Sequence, residues 1–193
     1  MSDTAAVAGD DRYEDFPVPS NRMGMWWFLA SEVVTFGGLF ASFLLLSITN
    51  GGWQGQASHN LFWIGTINTY ILLTSSLTVV LAHHSAETQD VGSTLKWIGL
   101  TLLLGVVFLG LKAYEYYEHI HHGVVPSTNL FFGFYYTMTG LHALHVIGGL
   151  GAWLWTAKRV AVDDSLSAVA PVGLYWHFVD LVWIFLYPLM YTI

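Results

Sequence analysis

Of 193 residues, 54% are hydrophobic and 10% are charged, against roughly 25% charged in an ordinary soluble domain, so a water-soluble globular fold is excluded. The formal charge of −7 comes largely from Asp3, Asp10, Asp11, Glu14 and Asp15, and it argues for no nucleic-acid or acidic-substrate partner. Cysteine is absent, which removes disulfides, thiolate metal sites and a cysteine nucleophile.

Residues 1–21 read as a polar surface tail, in which Pro17 and Pro19 disfavour helix up to a cap at Ser20-Asn21. The tail is acidic and has neither the basic start nor the short apolar core of a secretory signal. A five-helix transmembrane domain, residues 22–193, is expected to follow, with spans near 23–48, 61–84, 95–119, 129–156 and 172–192.

The first span carries Glu32, roughly 15 Å into the helix from Met23 and hence about halfway through a bilayer core of ~30 Å. An intramembrane carboxylate is costly, and two readings stand side by side: a functional, proton-related group, or a protonated, hydrogen-bonded packing acid. The span ends in Thr49-Asn50-Gly51-Gly52, a turn sequence.

The second span is apolar but carries Thr66, Asn68, Thr69, Thr74, Ser75, Ser76 and Thr78, small polar residues that let helices approach and bond across an interface, so it belongs inside the bundle. It finishes at His83-His84, at the membrane surface. The third ends in Lys112-Ala113-Tyr114-Glu115-Tyr116-Tyr117-Glu118-His119-Ile120-His121-His122, whose aromatic and charged residues suit the headgroup level. Its Leu102, Leu103, Val106 and Leu109 are expected to face lipid or another subunit.

Pro126-Ser127-Thr128-Asn129 is a turn and cap for the fourth span, in which His142 and His145 lie three apart and Gly140, Gly148, Gly149 and Gly151 mark close approaches. The fifth span holds His177 and Asp180, again three apart. Arg12, Arg22, Lys96, Lys158 and Arg159 fall on the side of the N-terminus and Lys112 on the other, which predicts a cytoplasmic N-terminus and an outer C-terminus.

The intramembrane His and Asp residues have a plain reading, in which they satisfy each other and neighbouring helices, and a sharper one, in which His142 or His145 holds a haem together with His177. A third class, a small proton-coupled carrier using Glu32 and Asp180, sits poorly with five spans that do not divide into equal halves. The cluster His119-x-His121-His122 has ligand chemistry but no visible fourth partner; contact with headgroups, water or a neighbouring chain explains it as well.

From Arg22 to Ile193 the chain resembles subunit III of the haem-copper terminal oxidases. The resemblance rests on Arg22-Met23-Gly24 with Ser31-Glu32, on Asn68 with Leu72-Leu73 and His83-His84, and on Glu115-Tyr116. The most specific matches are Thr139-Gly140-Leu141-His142-Ala143-Leu144-His145-Val146-Ile147-Gly148-Gly149 and Tyr175-Trp176-His177-Phe178-Val179-Asp180-Leu181-Val182-Trp183. Many members have seven helices, and this chain corresponds to the last five; the arm that the first pair forms beside a lipid-filled cleft is missing here or comes from another chain.

The resemblance implies an all-α, polytopic accessory subunit of a bacterial cytoplasmic-membrane oxidase that reduces O2 with electrons from cytochrome c or a quinol. It would carry no haem, copper or other metal of its own and no catalytic residue, and would flank subunit I, possess bound phospholipid, and support assembly, stability and proton uptake. Glu32 matches the family's carbodiimide-reactive glutamate. Glu115, His142, His145, His177 and Asp180 would form a buried polar network, and Arg22, His83 and His84 would contact lipid headgroups.

Overall fold

The computed structural model describes residues 20–53, 62–163 and 165–192, with the side chains of 20–22 outside the description. The tail, and the headgroup contact expected of Arg22, therefore lie outside the described residues. Among the described residues there are five helices and no strand: α1 (Ser20–Thr49), α2 (Phe62–Glu87), α3 (Val91–His121), α4 (Leu130–Asp163) and α5 (Val169–Tyr191).

Four of these, α1, α2, α3 and α5, are long and apolar enough to cross a membrane. The fourth helix differs from the expectation on composition. At 34 residues α4 is the longest, but Gly, Tyr, Thr and His dilute its apolar run, and its last turns carry Lys158 and Arg159. Part of this polar set faces protein: Tyr135, Thr139, His142 and Thr156 are buried, whereas Thr137 and Lys158 are exposed.

Local signals explain several helix ends. Gln89 sits in the left-handed region at φ 59°, so that the Gln89 N–H donates to Ala86 O (3.1 Å) and the Asp90 N–H to Ser85 O (2.9 Å), closing α2. Asp90 then caps α3 by accepting from Ser93 N–H at 3.0 Å, which starts that helix a turn before its apolar run. The Ser93 side chain first, and this N–H bond second, hold the Asp90 carboxyl below its ordinary pKa. Asn129 caps α4 through Phe132 N–H at 2.9 Å.

The core lies among α2, α3, α4 and α5, with α1 laid against α4 and α5. Trp176 shows how the small residues are used. Its indole lies between Gly105 of α3 and Gly149 of α4, where an added Cβ would come within 3.0 and 2.8 Å of ring carbons, and its Nε1–H donates to Ser75 Oγ of α2 (3.0 Å). Gly148 differs from Gly149, since a Cβ there meets nothing nearer than Tyr175 Oη at 3.6 Å.

The hydroxyls of α2 tie it to its neighbours: Thr66 to Tyr187, Thr69 to Trp183, Ser76 to His177, and Thr78 to Thr101. Thr74 points outward and bonds its own turn. On α3, Leu103 and Val106 are exposed, whereas Leu102 and Leu109 pack against the core. The helical twist turns residues one position away from the outward stripe back towards their neighbours. Apolar residues such as Trp27, Val34, Ile48, Leu103, Leu144 and Val162 cover the outside, the inverse of a water-soluble surface and the dress of an integral membrane protein.

Candidate functional site

The buried ionisable residues fall into three groups rather than one network. In the first, Glu32 of α1 meets His145 of α4: Oε2 lies 3.1 Å from Nε2, and the two side chains are 16% and 15% exposed. The other ring nitrogen, Nδ1, is 2.9 Å from Leu141 O one turn earlier, which fixes the ring's orientation. Tyr175 of α5 donates to His145 O at 2.8 Å, and Phe36 sets its edge against the imidazole at 5.4 Å. The carboxyl of Glu32 therefore has a fixed imidazole partner and a ring-lined setting, an arrangement able to share a proton between the two side chains.

In the second group, Lys112 and Glu115 of α3 form an ion pair at 2.9 Å, with the lysine 3% and the glutamate 0% exposed. Lys112 Nζ also donates to Tyr191 Oη (2.9 Å) and Tyr135 Oη (3.1 Å), and Tyr191 donates to the Glu115 carboxylate at 2.8 Å. The rings of Tyr135, Tyr116, Trp183 and Tyr191 stand 5.0–5.6 Å from the ammonium. Here the expectation of a headgroup-level lysine is corrected: Lys112 turns inward because Glu115, one turn on, offers a counter-charge and the tyrosines complete its donors. Tyr116 belongs to the same cluster and shares a hydrogen bond with Thr139 at 2.6 Å.

In the third group, Ser76 of α2 bonds His177 Nδ1 at 2.7 Å, and the same serine faces Asp180. His177 and Asp180 thus converge on one hydroxyl and do not bond each other. The hydroxyl can accept from His177 Nδ1–H and turn its own proton towards Asp180, whose two oxygens are buried and have no other partner within hydrogen-bond distance among the described residues.

His142, three residues before His145, points elsewhere. Its ring lies against Trp183 (centroids 5.2 Å) and edge-on to Phe108 (5.7 Å), fully inside the bundle. His142, His145 and His177 therefore take three different sets of neighbours, where the haem reading wanted two of them facing one another. Among the described residues no group of three or more His, Asp or Glu side chains is arranged to hold a metal ion.

At the helix ends, His83 pairs with Glu87 (3.4 Å), and His84, His121 and His122 are exposed, with His122 near Glu118 (3.5 Å). His119 departs from the surface cluster: it is 3% exposed, with its ring against Phe132, Tyr135 and Tyr136. A cavity of about 430 Å³ opens between α1, α2 and α5, with His83 and His177 among apolar walls that include Trp26, Val79 and Leu174.

Sequence reasoning named Glu32, Glu115, His142, His145, His177 and Asp180, and Ser76 as an interface hydroxyl, but gave no site role to Lys112, Tyr135, Tyr191 and Tyr175. The Lys112–Glu115 spacing on an otherwise apolar helix was a usable signal. The tyrosines gave none, because their partners lie up to 79 residues away, and the partner of Ser76, 101 residues on, was equally out of reach.

Residues 12–193 match the family model described as cytochrome c oxidase subunit III. The chain is 38% identical to cytochrome c oxidase subunit 3 of Bacillus sp. (strain PS3), covering 88% of this chain and 84% of that one. It is 37% identical to the protein of the same name from Thermostichus vulcanus, over 100% and 96% of the two chains. Similarity extends to cytochrome bo(3) ubiquinol oxidase subunit 3 of Pseudomonas aeruginosa, at 34% identity over 99% of this chain and 93% of that one.

Proposed function

Because the chain belongs to the cytochrome c oxidase subunit III family, we propose that it is the accessory third subunit of a haem-copper terminal oxidase, one that sustains the catalytic subunit without itself reducing oxygen. The observation that carries this reading is the Glu32–His145 pair. It is a half-buried, hydrogen-bonded acid and base inside an apolar helix bundle, a group suited to hold or pass a proton at the edge of a larger pathway.

In this reading haem and copper reside in partner subunits and subunit I lies alongside this chain, with phospholipid filling the remaining grooves. The residues here have no task at the metals. Glu32 and His145 exchange a proton with each other and with water at the bundle surface, Tyr175 holds the α4 backbone that carries His145, and the Lys112–Glu115 group locks α3, α4 and α5 together. All five helices cross the bacterial cytoplasmic membrane, α4 with Tyr135, Thr139, His142 and Thr156 turned inward, and the N-terminus is on the cytoplasmic side, the side of Lys96, Lys158 and Arg159.

Purification of the chain from its native membrane in mild detergent tests the proposal. A haem-copper subunit I should co-purify, and this chain, once separated, should show no Soret band. A Soret band travelling with the isolated chain, or the absence of an oxidase from the purified complex, would overturn it.

A further inference from the structure

A line of polar groups, separate from the Glu32–His145 pair, leads from the surface of the bundle to Asp180. That carboxyl is 3% exposed and lies about 16 Å along α5 from Val169, near the middle of a bilayer core of ~30 Å. One turn nearer the start of α5, His177 bonds Ser76 through Nδ1 at 2.7 Å, and the same serine faces Asp180. The imidazole of His177 also lines the cavity of about 430 Å³ between α1, α2 and α5. His83, near the end of α2, lines it too, with a side chain 45% exposed and paired to Glu87 at 3.4 Å. The cavity therefore joins an open helix end to a histidine whose other side is bonded towards a buried acid.

Among the described residues, the titratable side chains lining this cavity and the adjoining hollow are His83, Glu87 and His177; α1 presents Met25 and Trp26 there. The ionisable groups of α3 and α4 are engaged elsewhere, Lys112 with Glu115 and His145 with Glu32, while His142 lies against Trp183. A serine hydroxyl both donates and accepts, so the chain of three groups holds together in either direction. In one, His177 Nδ1–H donates to Ser76 Oγ, Ser76 donates to an ionised Asp180, and Nε2 keeps its lone pair. In the other, a protonated Asp180 donates to Ser76, Ser76 donates to Nδ1, and Nε2 carries the proton. Passing from the first to the second, Nε2 takes a proton from water in the cavity, the Nδ1–H bond breaks as a new Ser76 O–H bond forms, and the former serine proton bonds an Asp180 oxygen. One proton has then moved from cavity to carboxyl, with imidazole and hydroxyl both neutral at the end, and the reverse sequence returns it.

We infer that Asp180 is a proton-storing site, loaded and emptied from the cavity between α1, α2 and α5 through His177 and Ser76. Lipid tails neither give nor take a proton, so a carboxyl at this depth exchanges with water only along groups of the fold. The hydroxyl of Ser76 is the obligatory middle member, and the apolar walls of Trp26, Val79 and Leu174 confine the approach to the two histidines.

Time-resolved infrared spectroscopy of the intact complex after a pH step tests this, because it reads the carboxyl itself rather than oxygen turnover. A carbonyl band of a protonated acid, missing from Asp180→Asn, should grow as the pH is stepped down and fade as it is stepped up. In Ser76→Ala the change should slow by about tenfold or more, and Ser76→Thr, which keeps the hydroxyl, should restore the rate. Ala170→Phe leaves all three groups in place but fills the cavity, and should slow the change as well. A band that ignores pH, or one that changes as fast as in the unaltered complex in either Ser76→Ala or Ala170→Phe, overturns the inference. Where Asp180→Asn fails to assemble, Asp180→Glu, which shifts the band and keeps the acid, assigns it; where Ser76→Ala fails, Ala170→Phe decides.

Discussion

Removing the carboxylate of Glu115 exposes what holds the centre of the bundle. In Glu115→Ala, Lys112 keeps Tyr135 and Tyr191 but loses its counter-charge at 2.9 Å, and with 3% exposure it has no route to bulk water. Stranding one member of a buried pair costs about 3–5 kcal/mol. Glu115→Gln keeps the shape and an acceptor for Tyr191 but not the charge, and should fall between that variant and the unaltered protein. The double variant Lys112→Met with Glu115→Gln removes both charges and leaves the volume nearly unchanged. It gives up Lys112's bonds to two tyrosine hydroxyls, yet should recover most of the loss, ending within about 1–2 kcal/mol of the starting stability. Thermal unfolding of the detergent-solubilised complex gives the order, and a double-variant cycle gives the coupling. If Glu115→Ala is no worse than the double variant, Lys112 is not the buried, charged partner described here.

The remaining expectations follow from single contacts. Glu32→Gln preserves a group able to meet His145 while removing the titratable acid, so assembly should survive while the pH profile of oxygen turnover, or the rate of inactivation, shifts between about pH 6 and 9; superimposable curves would make Glu32 a packing residue. Gly149→Ala should cost about 1–3 kcal/mol, because its Cβ would lie 2.8 Å from Trp176, while Gly148→Ala and Leu103→Ala should leave the unfolding midpoint nearly unchanged. Ser76→Ala should strand His177 Nδ1 and cost about 1–3 kcal/mol, visible as less assembled complex, and equal yields would show that His177 finds another partner.

The sequence announced its helices readily because the apolar runs are long and the breaks carry Asn, Gly, Pro and Asp. Pairing across the bundle was much harder to read. A period of 3.6 places His142 and His145 on one side of α4, but 60° of twist is enough to send one ring towards α3 and α5 and the other to α1. His177 and Asp180 likewise looked like a pair, and the serine that separates them sits on α2. Lys112 was placed at the surface by the habit of lysine near helix ends, whereas its tyrosine partners come from α4 and the end of α5. Such choices depend on which neighbour a helix meets, and that is decided by the closeness allowed at Gly105 and Gly149 rather than by anything within α3 or α5 alone.

The meeting of Glu32 and His145 spans 113 residues of chain. At a synthesis rate of about 5–20 residues per second, roughly 6–23 s separate the emergence of the acid from that of its base. Throughout that interval α1 has no α4 or α5 to lean on, although its buried residues Leu29, Phe36 and Phe43 are made for them. The newborn helix must settle in the bilayer on its own apolar side chains, carrying a carboxyl that weighs against insertion. The excess of Trp, Phe, Val and Leu on its outer face then has a meaning that the finished bundle conceals: it keeps the first helix in place while the rest of the protein is still being made.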